Sequence, residues 1–155
     1  MPGPTPSEPR HPVRAWPTSY AIAAVVFAVI DLVWLGVVAQ PLYQDQLGHL
    51  LADEFNLVPA AAFYFLYLVG LVHFALRPLE AGRPLGVTVR DAAIYGFMTY
   101  MTWDLTSAAV FRDFPTLVVF IDITWGTSAS VAVAALTWWL THGRRSRGRA
   151  GGSLA

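Results

Sequence analysis

Residues 18–40 read TSYAIAAVVFAVIDLVWLGVVAQ, an almost unbroken apolar stretch with a single carboxylate, Asp31, inside it. A helix needs about 20 apolar residues to cross the roughly 30 Å hydrocarbon core of a bilayer, at about 1.5 Å per residue. The stretch is too long for the apolar core of a signal peptide, and it contains an acid. We therefore interpret it as a retained membrane span.

Three further apolar stretches follow, over residues 57–76, 88–111 and 116–141. None carries the long polar face of a surface helix, and none alternates with the two-residue period of a barrel strand. Within lipid, each segment must satisfy its own backbone hydrogen bonds, which favours helices. The sequence thus predicts an all-α integral membrane protein, a bundle of four transmembrane helices formed by residues 18–141.

The composition of the 155 residues agrees with this prediction. Hydrophobic residues make up 55% of the chain, charged residues only 13%, and the mean hydropathy is +0.50. Soluble domains carry about 25% charged residues, which argues against an ordinary soluble enzyme or binding domain. The absence of cysteine excludes disulfides and thiolate metal sites. A net charge of zero argues against a nucleic-acid partner. Because the apolar stretches are predicted to cross a membrane, the expected partner is membrane lipid. The sequence leaves open whether the chain also associates with copies of itself.

The arginines predict the orientation in the membrane. The Pro-rich segment 1–17 and the Arg/Gly-rich segment 142–155 lack apolar periodicity and are predicted to be disordered tails. Nine of the ten basic residues lie in these tails, between the second and third spans, or (Arg90) at the adjoining edge of the third span, and only Arg112 falls on the opposite side. By the positive-inside rule, both termini are expected in the cytoplasm.

The first outer loop, residues 41–54, is predicted to form a short interfacial helix with Tyr43 and Leu47 on its apolar face. His49 and Asp53 are four residues apart and are a candidate metal pair. A pair at this spacing more often belongs to a solvated helix face, so we expect neither a metal nor a cofactor.

Three acids fall inside the spans, namely Asp31, Asp104 and Asp122. A central Asp costs about 3 kcal/mol on insertion scales, so such residues usually face the bundle interior and are candidates for function. Counting residues from the outer span ends places all three about 9 to 14 Å deep, at 1.5 Å per residue. The sequence therefore predicts one outward-facing acidic cluster.

Aromatic residues accompany each acid along the sequence. Their indole and phenol groups can donate to a buried carboxylate and lower the cost of its burial. Three charges in one small site would repel, so at least one acid is expected to hold a proton. The alternative is that the acids only hold the helices together. The predicted site comprises Asp31, Asp104 and Asp122 with Trp34, Trp103, Trp125, Tyr64 and Tyr100.

Five segments occur in order along the chain: 31–36 DLVWLG, 41–51 PLYQDQLGHLL, 63–67 FYFLY, 103–106 WDLT and 122–126 DITWG. Together they resemble the bacterial membrane proteins grouped as domain of unknown function 2177. The resemblance implies four spans and the bacterial inner membrane, and it brings no established activity. The fourth segment usually reads Tyr-Asp-Leu-Thr-Asn in that family. Here Trp103 and Ser107 take the first and last places, so ligand contacts there would differ.

Three functions fit these patterns. The first is binding or transport of a proton, a small cation or a lipid headgroup, because carboxylates and aromatic faces both attract cations. The second is an intramembrane enzyme, or an accessory in lipid modification, that uses a carboxylate as acid and base or as a metal ligand with His49. The third is a structural subunit of a membrane complex.

Overall fold

The computed structural model of the chain describes residues 15–77 and 82–150, with side chains described as far as Thr141. All regular structure in these ranges is helical, as the sequence predicts. The helices are α1 (Ala15–Trp34), α2 (Gln40–Leu47), α3 (Leu57–Leu71), α4 (Leu85–Val110) and α5 (Thr116–Ala150). A π-helical turn, Leu35–Ala39, joins α1 to α2, and a second one, Val72–Leu76, extends α3.

Three helical segments are long and apolar enough to cross a membrane: Ala15–Leu47, Leu57–Leu76 and Thr116–Thr141. The second and third of these match the predicted spans 57–76 and 116–141. The helix α4 has 26 residues and overlaps the predicted span 88–111, but its sequence is more polar than those of the other three segments. Three of its polar residues, Thr88, Asp104 and Ser107, are buried in the protein interior, whereas Arg90, Thr102 and Thr106 are exposed.

The short helix predicted over residues 41–54 is present only as far as Leu47, and it is not separate from the first helix. The first helix continues through Pro41 to Leu47, and a turn and irregular backbone follow it. Proline lacks an N–H group, and its ring clashes with the carbonyl four residues earlier. The π-helical turn lies directly before it, where the Gln40 N–H donates to the carbonyl of Leu35, five residues back. This wider turn accommodates the proline within a continuous helix.

The predicted tails lie mostly outside the described residues. Where they are described, they belong to helices: α1 begins at Ala15, within the predicted tail 1–17, and α5 continues from 142 to Ala150. Trp16 stacks on Tyr20 with ring centroids 5.6 Å apart, which fixes the first turn of α1. Pro17 is tolerated there because the first helical turn needs no donor at that position. Arginine is a good helix former, which favours extension of α5.

The closest helix packing joins α4 to α5. A Cβ atom added at Gly96 would meet the Gly126 carbonyl at 2.5 Å, and one added at Gly126 would collide with the ring of Tyr100. Ser130 also abuts Gly96, so small residues on both helices permit the approach, as the sequence indicates. The helices α1 and α3 pack on this pair through Phe27 and Tyr67, whose ring centroids lie 5.3 Å apart.

Candidate functional site

A cavity of about 340 Å³ lies where all five helices meet. Two of the three acids that the sequence predicts within the spans, and all five predicted aromatic residues, line it. The structure thus brings together most of the residues predicted for the site. The lining residues are Asp31, Trp34, Leu35, Tyr43, Phe63, Tyr64, Thr99, Tyr100, Trp103, Asp122 and Trp125. None of these lining residues is basic.

Asp31 is held at one wall of the cavity by an aromatic residue from the next helix. It lies on α1, is 7% exposed, and accepts a hydrogen bond of 2.6 Å from the hydroxyl of Tyr64 on α3. The indole of Trp125 also lies beside it. An ionised carboxylate has about four acceptor positions, so Asp31 keeps capacity for a further donor from a ligand.

Asp122 repeats this arrangement on the other wall. It lies on α5, is 5% exposed, and accepts a hydrogen bond of 2.7 Å from the hydroxyl of Tyr43 on α2. The two residues are 79 positions apart in the chain, so this bond ties the extended first helix to the last one. Each acid lining the cavity thus has one tyrosine donor from a different helix.

Aromatic rings complete the walls between the two acids. Trp34 stacks on Trp125 with ring centroids 4.2 Å apart and planes inclined by 6°. Tyr100 is close enough to Asp31 and Asp122 to interact with both electrostatically. Its hydroxyl makes no hydrogen bond to the described residues. Trp103 is 59% exposed and lies at the rim. Electron-rich ring faces and two carboxylates therefore surround one small space, which suits a cation.

Asp104 does not line the cavity, although the sequence groups it with the other two acids. It is 0% exposed, and neither carboxylate oxygen accepts a hydrogen bond from the described residues. It lies close enough to Asp122 for the two carboxylates to repel each other. A buried carboxyl without a donor is strongly disfavoured as an ion, so this side chain differs chemically from its two neighbours.

Sequence reasoning missed Tyr43 as a member of the site, because it assigned this residue to an interfacial helix. It also left Leu35, Phe63 and Thr99 out of the site. The missed signal is the position of Pro41. Had the first helix been continued through this proline, Tyr43 would have fallen on the same helix as Asp31 and Trp34, within reach of the cavity.

The candidate metal pair is not supported by its surroundings. His49 and Asp53 are exposed, lie beyond the end of α2, and are absent from the cavity lining, so they do not share a helix face. Within 15–77 and the described side chains of 82–141, no group of three or more His, Asp or Glu residues is arranged to hold a metal ion. The spacing argument required a helix over these residues, and the chain has none there.

Comparison with known proteins gives one match. A family model described as predicted membrane protein (DUF2177) matches residues 16–139, which include every residue that lines the cavity. No curated protein and no solved structure matches the chain.

Proposed function

The chain belongs to the DUF2177 family of predicted membrane proteins, and we propose that it binds a small organic cation between Asp31 and Asp122, deep in the membrane. The observation that carries the proposal is the pair of tyrosine-anchored carboxylates that line one aromatic cavity. Carboxylates inside a membrane are costly and need a compensating partner. An ammonium group would supply the counter-charge while the rings of Trp34 and Tyr100 attract it through their faces.

We further propose that α4 is a fourth span and that the cavity opens outward from a bacterial inner membrane. With 26 residues, α4 can extend about 39 Å at 1.5 Å per residue, more than the hydrocarbon core requires. Its carboxylate Asp104 is buried, as are Thr88 and Ser107, and α4 packs along α5. The arginine distribution supports cytoplasmic termini, which places the acids in the outer half.

The test is to titrate tetramethylammonium onto the full chain in lipid nanodiscs and to measure binding by the change in tryptophan fluorescence. Asp31→Asn and Asp122→Asn are each expected to weaken binding about tenfold or more, since a hydrogen bond or contact to a charged group contributes about 1.5–3 kcal/mol. Asp45→Asn is the control, because Asp45 is exposed and lies outside the cavity. Unchanged affinity in both cavity variants would refute the proposal.

Proton-coupled transport is a second candidate, favoured by Asp104. This carboxyl is fully buried, accepts no hydrogen bond from the described residues, and lies beside Asp122. Such a group is expected to carry a proton that the arrival of a cation at Asp122 would displace. In proteoliposomes, a pH gradient should then drive uptake of labelled tetramethylammonium. The Asp104→Asn variant should still bind tetramethylammonium, but its uptake should no longer respond to the pH gradient. Uptake that does not respond to the gradient would exclude this candidate.

A further inference from the structure

We propose that the ligand is an amphiphile, with its ammonium group between Asp31 and Asp122 and a single hydrocarbon chain lying in a groove along the first helix. This inference rests on the proposed function, because it takes the cavity as the site of the cation. It adds the chemical class of the ligand and assigns a second binding surface, formed by Leu32, Leu35, Gly36, Ala39, Gln40 and Tyr43. We call this surface the α1–α2 groove.

The α1–α2 groove and the acidic cavity are contiguous. The groove encloses about 390 Å³, similar to the cavity, and the two share Leu35 and Tyr43 as lining residues. Tyr43 donates to Asp122 with its hydroxyl and lines the groove as well, so it lies at the junction between the two. A molecule that occupies both spaces would pass this residue.

The π-helical turn opens the groove. Four of its six lining residues lie in or directly beside the turn Leu35–Ala39, where the helix is wider than an α-helix. At Gly36, an added Cβ atom would meet nothing within 4 Å, so the space beside the backbone is open. Gly36 therefore does not serve close helix packing, unlike Gly96 and Gly126, which lie where α4 and α5 approach closely.

The chemistry of the two spaces is complementary to the two ends of an amphiphile. The groove is lined mainly by aliphatic atoms, with Leu32 and Leu35 partly exposed on a segment able to span the membrane. The cavity holds the acids, and no basic residue lines either space. A headgroup with a positive charge is therefore matched to the cavity, and a lipid-soluble chain to the groove.

The experiment compares three probes on the full chain in nanodiscs: tetramethylammonium, dodecyltrimethylammonium and dodecanol. After correction for partition into the bilayer, the long-chain cation should bind about fivefold more tightly than tetramethylammonium, through added van der Waals contact in the groove. Gly36→Phe fills the groove and should remove this advantage, with tetramethylammonium affinity unchanged. Val29→Phe is the control, because Val29 is an exposed apolar residue of the same helix outside both spaces.

The outcomes separate the two proposals. If tetramethylammonium fails to bind the wild-type chain, the cation site itself is refuted. If it binds, but Gly36→Phe leaves the advantage of the long-chain cation intact, the groove is refuted and the cation site stands. If dodecanol binds as tightly as dodecyltrimethylammonium, the groove takes neutral chains and the assignment of a charged amphiphile is overturned.

Discussion

At the scale of single residues, the three acids predicted within the spans separate into two kinds. Asp31 and Asp122 each accept a short hydrogen bond from a tyrosine and line the cavity, whereas Asp104 is sealed in the interior without a donor among the described residues. The sequence does not distinguish these three acids, because residue counting predicts about the same membrane depth for all of them. Their chemistry depends on which side chains from other helices reach them.

The hydrogen bond from Tyr64 to Asp31 can be tested by removing one oxygen atom. Tyr64→Phe is expected to lower the free energy of unfolding by about 1–3 kcal/mol, because it leaves a buried carboxylate short of a donor. The measurement is denaturant unfolding in mixed micelles. Tyr20→Phe is the matched control, since the Tyr20 hydroxyl forms no hydrogen bond with the described residues. Equal stability losses in the two variants would contradict the expectation.

At the scale of helices, two departures from regular α-helix packing create the site. The π-helical turn before Pro41 carries the first helix on to Tyr43, which brings this phenol to Asp122. The small residues of α4 and α5 bring Tyr100 against Gly126, and so place its ring at the cavity wall. Both features set distances between helices, and these distances determine which acids receive donors.

The α4–α5 contact predicts opposite outcomes for two glycine substitutions. Gly126→Ala is expected to cost about 1–3 kcal/mol of stability, because the new methyl group would overlap the ring of Tyr100. Gly36→Ala is expected to be neutral or stabilising by up to about 1 kcal/mol, since alanine favours helix and the site is open. Thermal unfolding in detergent compares the two. A stable Gly126→Ala variant would mean that the two helices are farther apart.

At the scale of the whole molecule, charge asymmetry predicts a defined topology. Eight of ten arginines lie in the tails and between α3 and α4, and Arg90 lies near the start of α4, toward the same side. Arg112 lies between α4 and α5. The positive-inside rule then places both termini in the cytoplasm, with the cavity nearer the outer surface.

Reporter fusions test this topology in bacterial cells. A cytoplasmic reporter should be active when fused at either terminus, and an exported reporter should be active when inserted between Arg112 and Phe114. This result also requires an even number of spans, and therefore that α4 crosses the membrane. Reporters that place the two termini on opposite sides would leave an odd number of crossings and remove α4 from the membrane-spanning set.

The sequence by itself determined the class of the protein and most of the residues that line its cavity. Long apolar runs identify membrane helices because, in lipid, the backbone must form its hydrogen bonds within its own segment. Acids within these runs indicate a candidate site because their burial costs free energy. The tertiary structure decided which residues from distant parts of the chain contact each other, which the local sequence pattern cannot specify. It continued the first helix through a proline, joined Tyr43 to an acid 79 residues away, and separated Asp104 from the cavity. These outcomes depend on distances between helices, which are set by the packing of glycines and rings from different parts of the chain.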